Sequence, residues 1–229
     1  ATITGQVLHQ DVAAAEVLDE ALARSQYEKK RQAFRKAKGP VKRGIGVSLY
    51  YHGAGFTGGG ETWLGSKAAV EVAKDGRVHV LAASTEIGQG TRTVFSQIAA
   101  EALDLPIEWI EVEDPDTARV PDSGPTVASR TTMIIGGLVE RACRELRQVL
   151  EAHGGAGTWS PERFRSLAKA HLKKVGPLKV VAQYETPKEI VWSDQTYKGD
   201  AYGAFAWGCN VAEVEVDPTT GEVRCPRMT

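Results

Sequence analysis

The sequence has little cysteine, and its cysteines are not arranged as metal ligands. Cys143, Cys209 and Cys225 are the three cysteines among 229 residues, and no two of them form a Cys-x-x-Cys pair. Structural zinc sites and iron–sulfur clusters usually need closely spaced thiolates. The histidines show no ligand spacing among themselves either. We therefore expect no metal ligands from this chain, and reduced thiols in a cytoplasmic protein.

The chain also lacks an excess of charge and a long apolar run. Lys and Arg number 28 against 29 Asp and Glu, so the net charge is −1. No basic patch alternates with aromatic residues, as single-stranded nucleic acid would require. No apolar run approaches the roughly 20 residues that span a bilayer, and the N-terminus has no signal-peptide pattern. We expect neither a nucleic-acid partner nor a membrane partner.

What is present is the composition of a globular protein with a core. The chain is 42% hydrophobic and 25% charged, and a protein of this length buries roughly 70% of its unfolded surface. Apolar spacing predicts helices near residues 12–39, 94–103, 131–151 and 161–176. Alternation predicts strands near residues 66–84, 107–112, 178–185 and 204–217. Strand pairs and helices without regular β-α-β alternation predict an α+β fold, with mixed or antiparallel sheet layers and packed helices.

Turn signals and charge add detail to this organisation. Asp75 and Gly76 predict a two-residue hairpin turn in which both positions have positive φ. The prolines of residues 113–131 predict an irregular loop. We expect an N-terminal helical segment over residues 1–42 and an α+β domain over residues 43–229. That domain ends on a strand, a turn and a strand with nothing to pair with afterwards, which suggests an incomplete C-terminus.

The first candidate motif is STEIGQGTRTVFSQIAAEAL, Ser84 to Leu103, in which a strand leads through glycines into a helix. Free backbone N–H groups and the positive end of the helix dipole favour an anion at such a point. Gly88 and Gly90 permit a tight turn, and Gln89 offers a donor and an acceptor. By spacing alone, a Gly-x-Gly turn into a helix is more often a structural turn. The P-loop pattern is excluded because no Lys-Ser or Lys-Thr follows.

The second candidate motif is PDSGPTVASRTTM, Pro121 to Met133, which also leads a loop into a helix. Ser129, Thr131 and Thr132 supply hydroxyls, and Arg130 supplies the charge. A helix cap is the simpler interpretation. Because both motifs have a strand-loop-helix order, we expect their helix N-termini to lie on the same side of one sheet and to share a ligand.

Together the two motifs resemble the molybdenum hydroxylases of the xanthine dehydrogenase and aldehyde oxidase type. TEIGQGTRTVFSQIAAEAL and VPDSGPTVASRTTMIIGGLVERAC are similar to paired segments of the molybdenum-binding large subunit, and the resemblance extends from about Arg43 to Asp217. It implies that residues 43–229 are a molybdopterin-binding domain. It also implies a set of residues that bind the pyranopterin of the cofactor: Ile87, Gly88, Gln89, Gly90, Ala128, Ser129, Arg130 and Thr131.

The resemblance further implies an activity and partners. In the family, water hydroxylates a purine, another N-heterocycle or an aldehyde, and electrons pass to 2Fe-2S and FAD centres in partner subunits or domains. Dithiolene sulfurs of the cofactor hold molybdenum. The general base of the family lies in a Gly-Val-Gly-Glu segment, which this sequence does not contain. We therefore expect no catalytic residue here, an isolated chain that is inactive, and a requirement for the remainder of the molybdenum-binding subunit.

Two other functions remain compatible with the sequence. One is a phosphate- or nucleotide-binding α+β module without redox activity, and the other is a noncatalytic truncated fragment. The glycine-rich segment HGAGFTGGGE, His52 to Glu61, is either a connection between lobes or a ligand contact. Glu61 is not the counterpart of the family's general base.

Overall fold

Helices and strands follow the apolar spacing of the sequence in the computed structural model, which describes residues 1–9, 12–154 and 157–229. A 3₁₀ turn at Ile107–Trp109 and a π-helical segment at Thr131–Gly136 supplement the regular elements. The helices are α1 (Ala14–Ser25), α2 (Tyr27–Lys36), α3 (Gly60–Leu64), α4 (Thr91–Leu103), α5 (Gly137–Gly154) and α6 (Pro161–Lys174). The strands are β1 (Lys42–Ala54), β2 (Lys67–Val72), β3 (Val78–Leu81), β4 (Ile110–Val112), β5 (Lys179–Gln183), β6 (Trp192–Ser193), β7 (Lys198–Gly199), β8 (Ala204–Val216) and β9 (Val223–Met228).

The chain divides into two units, and the larger one comprises Ala54–Ala204. Its main sheet has the strand order β4-β3-β2-β5. β2 is antiparallel to both β3 and β5, whereas β3 is parallel to β4. Since α4 connects β3 to β4, these three elements form one β-α-β unit inside a mixed sheet. The predicted α+β class with mixed sheets and packed helices is confirmed.

Alternation along the strands separates the two faces of this sheet. Val70 and Val80 face each other across β2 and β3 and belong to the main core with residues of α4, α5 and α6. Ala69 and Leu81 point to the opposite face, where they pack with Val120 of the loop that follows β4. The fully buried helix residues of the main core include Ala99, Leu103, Val139, Ala142, Cys143, Leu146, Leu150 and Phe164. The sheet therefore holds the helices on one face and the loop after β4 on the other.

Two local predictions in this unit were wrong in detail. The hairpin between β2 and β3 forms, but residues 73–77 separate the paired Val72 and Val78. Gly76 has a φ of 86° whereas Asp75 does not have a positive φ, so the loop is longer than a two-residue turn and needs one glycine. The strand predicted at residues 107–112 begins only at Ile110, because a 3₁₀ turn after Pro106 occupies Ile107–Trp109.

The smaller unit comprises Ala1–Gly53 and Phe205–Thr229. Its sheet has the order β1-β8-β9, and Val211 of β8 packs with Ala21 and Tyr27 of the N-terminal helices. Lys30 of α2 forms an ion pair with Glu213 at 2.5 Å. At least this basic side chain of α2 therefore contacts the protein and not solvent alone. β1, which starts at Lys42, pairs with β8 from the far end of the sequence.

No helix in the described part of the chain combines the length and the apolar character that a membrane crossing would need. The core contains one buried thiol, Cys143 of α5. Burial, together with the nearby Glu140 carboxylate, raises the pKa of this thiol to about 12. Cys225 in β9 is exposed.

We predict that Cys143 resists alkylation in the folded protein. At about pH 8 its thiol is protonated and inaccessible, and the thiolate is the reactive form. Iodoacetamide followed by peptide mass spectrometry should therefore leave Cys143 unmodified until urea is added. Cys225 provides the internal control, and alkylation of Cys143 at the rate of Cys225 in the folded protein would contradict the assigned burial.

Candidate functional site

The two predicted motifs follow neighbouring parallel strands of the main sheet. β3 leads into the first motif and β4 into the loop that ends in the second, and these strands run parallel. The carboxyl ends of parallel strands meet at the same edge of a sheet, where ligands bind in many α/β arrangements. The backbone N–H of Thr85 donates to Thr126 Oγ1 at 2.9 Å, which joins the two loops directly. Sheet topology thus brings the motifs together.

Both motifs line one open cleft with a volume of about 360 Å³. Cofactor pockets in proteins typically have volumes of roughly 300–1,000 Å³, so the cleft can accept a small organic ligand. The lining residues are Ile87, Gln89, Thr126, Val127, Ala128, Ser129, Thr131 and Thr132. Residues of both motifs thus line the same cleft, and a ligand shared by the two helix N-termini stays a prediction.

The lining set overlaps the predicted site residues without matching them. Gly88, Gly90 and Arg130 do not line the cleft, whereas Thr126, Val127 and Thr132 do. These three were missed because the resemblance assigned contacts only from Ala128 to Thr131. Their positions inside the same motif were the available signal. The glycines shape the first loop instead, with φ values of 100° at Gly88 and 84° at Gly90 that favour glycine.

The carboxylate of Glu86 is the anion at the N-terminus of α4. Its Oε1 accepts hydrogen bonds from the backbone N–H groups of Gly88 at 2.8 Å and Gly90 at 3.0 Å, and Oε2 accepts one from Arg92 at 3.3 Å. The hydrogen bond from Gly90 is the largest of the effects that lower the pKa of Glu86. The chain's own carboxylate therefore takes N–H groups that the sequence suggested for a ligand anion.

The side chain of Gln89 is bound within its own loop. Its Oε1 accepts from the backbone N–H of Ile87 at 2.8 Å, and its Nε2 donates to Thr85 O at 2.7 Å and to Thr91 Oγ1 at 2.6 Å. Both amide hydrogens are used by these two bonds. In this conformation Gln89 braces the loop, and its Oε1 retains capacity to accept one further hydrogen bond.

The second loop contains an unusual backbone. Ala128 and Ser129 have φ values of 53° and 54°, in the left-handed region that non-glycine residues rarely adopt. Such a conformation costs roughly 1–2 kcal/mol per residue. Residues in strained conformations persist when their surroundings determine them, and they concentrate at functional sites. Ala128 and Ser129, the strained pair, both line the cleft.

Arg130 does not present its charge to the cleft, which corrects the expectation that it supplies the charge of the second motif. The side chain is 1% exposed, and the guanidinium binds Glu61, Ser66 and two backbone carbonyls. A ligand could meet Arg130 only through its backbone. Over residues 1–9, 12–154 and 157–229, no group of three or more His, Cys, Asp or Glu side chains is placed to hold a metal ion.

Comparison with known proteins assigns this arrangement to a family. The family model described as "Molybdopterin cofactor-binding domain" matches residues 20–229, which is most of the chain. The chain belongs to this molybdopterin cofactor-binding domain family. The resemblance to molybdenum hydroxylases inferred from the two motifs is thereby confirmed, together with the class of cofactor.

Relatives of this molybdopterin-binding domain include xanthine dehydrogenases. The chain is 34% identical over 211 residues to xanthine dehydrogenase/oxidase of Felis catus, covering 89% of this chain and 15% of the relative. It is 32% identical over 212 residues to xanthine dehydrogenase of Drosophila pseudoobscura pseudoobscura, covering 90% and 15%. The chain thus spans about 15% of the length of these relatives.

Solved structures agree with this assignment. Aldehyde oxidoreductase from Desulfovibrio gigas superposes with a TM-score of 0.76 at 27% identity, covering 98% of this chain and 24% of that one. Quinoline 2-oxidoreductase from Pseudomonas putida superposes with a TM-score of 0.73 at 21% identity, covering 96% and 30%, and this second likeness supports the fold alone.

The cleft fits the cofactor class of the molybdopterin-binding domain family. A pterin is a flat, neutral heterocycle with donors and acceptors along its edge, and the cleft offers hydroxyls, an amide oxygen and backbone groups. Thr131 and Thr132 bring hydroxyls to the cleft wall, and Ile87, which is 77% exposed, brings an apolar surface. This combination of apolar walls with a few polar groups is typical of cofactor sites.

We predict that Glu86 stabilises the first loop only while it is ionised. Its pKa is lower in the folded chain than its ordinary value of 4.5, so its contribution is present above that value and is lost as the pH falls through the folded pKa. The melting temperature of Glu86→Gln should lie below that of the native protein at about pH 7, and the difference should shrink as the pH falls through the folded pKa, which lies below 4.5.

Glu108→Gln is the matched control for this pH series, because Glu108 is an exposed carboxylate away from the loop. It should melt like the native protein throughout. A difference between Glu86→Gln and the native protein that is constant with pH would contradict the role of the charge.

Proposed function

We propose that this chain is the cofactor-binding portion of a molybdenum hydroxylase that oxidises a purine, another N-heterocycle or an aldehyde with water. The observation that carries the proposal is the shared cleft, in which both family motifs meet at one edge of the sheet. The family match over residues 20–229 supports the same function. The proposed domain assignment is an N-terminal helical segment over residues 1–42 followed by the molybdopterin-binding domain over residues 43–229.

Two loops would hold the cofactor from opposite sides of the cleft. In the first, Ile87 and Gln89 would contact it directly, while Gly88 and Gly90 would hold the backbone in its turn. In the second, the backbone of Ala128 to Arg130 and the hydroxyls of Ser129 and Thr131 would bind polar edges of the pterin. The cofactor, when bound, supplies the molybdenum that carries oxygen transfer and accepts the electrons.

The role of this chain in that reaction is to bind and orient rather than to move protons. Glu86 is engaged by three backbone N–H groups, and Glu61 is buried against Arg130, so neither of these carboxylates is available as a general base. Reaction therefore requires the remainder of the molybdenum-binding subunit, and we propose that 2Fe-2S and FAD partners receive the electrons. We also propose a cytoplasmic location and an inactive isolated chain.

The content of the native protein tests this proposal. Protein that contains this chain, purified without added cofactor, should hold molybdenum by elemental analysis and a fluorescent pterin after oxidative extraction. With an aldehyde or N-heterocycle and ¹⁸O-labelled water, its product should carry the label. Retention of an ordinary nucleotide without molybdenum or pterin would instead support a nucleotide-binding module and overturn the proposal.

We predict that Gln89→Ala lowers cofactor retention more than it lowers stability. The substitution removes three hydrogen bonds that brace the loop, and loss of such supporting bonds typically costs about tenfold to a hundredfold in metal affinity or activity. Molybdenum per protein and turnover should therefore fall, while the melting temperature changes little because the loop is exposed.

Gln97→Ala provides the matched control for this experiment. It makes the same chemical change on the exposed surface of α4, away from the cleft. Molybdenum content and turnover should stay at the native level in Gln97→Ala. Equal molybdenum content and turnover in the two variants would show that Gln89 is a structural turn residue only.

A further inference from the structure

The buried pair of Arg130 and Glu61 joins two segments that are far apart in sequence. Glu61 lies in α3, within the glycine-rich segment, and its side chain is 5% exposed while that of Arg130 is 1% exposed. Arg130 Nε lies 3.0 Å from each carboxylate oxygen, and Nη2 lies 2.7 Å from Oε2. Bidentate pairs of this kind are geometrically specific because the guanidinium fork and the carboxylate are both planar.

The guanidinium uses its remaining donors to fix the loop that precedes it. Nη1 donates to Ser123 O at 2.9 Å and to Pro125 O at 3.1 Å, and Nη2 donates to Ser66 Oγ at 2.6 Å. All five N–H donors of an arginine are thereby satisfied. A buried network in which every member is satisfied rigidifies the segments that it connects.

Local sequence is adapted to this network. A Cβ atom added at Gly124 would lie 2.9 Å from Ser66 Oγ and 3.2 Å from Arg130 Nη1, and Gly124 itself has a φ of 70°. On the other segment, the backbone N–H of Phe56 donates to Glu61 Oε1 at 3.1 Å. The proline-rich loop therefore leaves space for the ion pair, and the glycine-rich segment donates a backbone hydrogen bond to it.

The same network borders the strained residues of the cleft. The backbone N–H of Gly55 donates to Ala128 O at 2.8 Å, and the N–H of Arg130 donates to Val127 O at 3.2 Å. Arg130 thus follows directly after Ala128 and Ser129, whose left-handed backbone needs external support. The anchored side chain of Arg130, which follows the strained pair, and the hydrogen bond from Gly55 to Ala128 provide that support.

We propose that Arg130 and Glu61 are positioning residues, which hold Ala128 and Ser129 in the conformation that the cofactor requires without contacting the cofactor themselves. This inference rests on the proposed function, since it gives the conformation of the second loop a purpose. It assigns the glycine-rich segment the role of supporting the second loop. This role is neither of the two alternatives that the sequence left open, a connection between lobes or a ligand contact.

A double variant separates positioning from stability. Removing one partner strands a buried charge and destabilises strongly, whereas replacing both by apolar residues of similar size is often neutral for stability. The Glu61→Leu/Arg130→Met protein should therefore remain folded with a melting temperature near that of the native protein. It should nevertheless lose the hydrogen bonds that fix the second loop.

The readouts are cofactor content and loop protection in the full native protein. In the double variant, molybdenum and pterin affinity should fall by about tenfold to a hundredfold, and hydrogen exchange at the Gly55 amide should accelerate by at least about tenfold. Leu146→Ala is the control, because it creates a cavity in the main core and lowers the melting temperature while leaving the pair of Arg130 and Glu61 intact. It should retain cofactor and normal Gly55 protection.

The outcomes distinguish this inference from the proposed function. If the native protein holds molybdenum and pterin and the folded double variant retains both with unchanged Gly55 exchange, the positioning role is wrong and the proposed function stands. If Leu146→Ala loses as much cofactor as the double variant, the pair contributes stability alone and the inference also fails. A native protein without molybdenum or pterin overturns the proposed function and, with it, this inference.

Discussion

The parallel pairing of β3 with β4 is the constraint on which the rest of the candidate site depends. Parallel neighbours need a crossover, which α4 provides, and their carboxyl ends then release two loops at one edge of the sheet. One loop becomes the N-terminal turn of α4, and the other crosses the face that the helices leave free before it enters α5. Without this pairing, the two motifs would be separate helix caps with no common cleft.

Two charged side chains of the larger unit bind the backbone or a buried partner beside the cleft. Glu86 satisfies the backbone N–H groups at the start of α4, and Arg130 pairs with Glu61 below the second loop. In both places an ionised side chain fixes backbone that lines the cleft. The surfaces left for a ligand are hydroxyls, an amide oxygen, backbone groups and an apolar side chain, which suits a neutral heterocycle better than a free anion.

Periodicity and motif resemblance predicted the helices, the α+β class and the proximity of the two motifs, because these depend on spacing within the chain. The long-range partners of the polar residues were not predictable in the same way. The sequence marks Arg130 as the single basic residue of its motif, which suggests a ligand contact, but Glu61 lies far upstream in the glycine-rich segment, where nothing marks it as a partner of Arg130. Likewise, a Glu two residues before Gly88 gives no sign that its carboxylate turns back onto the helix. Tertiary packing decides the partner of Arg130, whereas the local backbone turn before α4 decides the partners of Glu86.

Gln89 shows what a loop gains by satisfying its own polar atoms. Its side chain already bonds to Thr85, Ile87 and Thr91, so the conformational entropy of the first loop is lost when the chain folds and not when a ligand arrives. A loop ordered in this way recognises a rigid, planar molecule by shape, at a rate set by access to the cleft instead of by rearrangement. Insertion of the cofactor would then be the docking of a rigid ligand into a preformed cleft. It would follow the folding of this unit as a separate, later step.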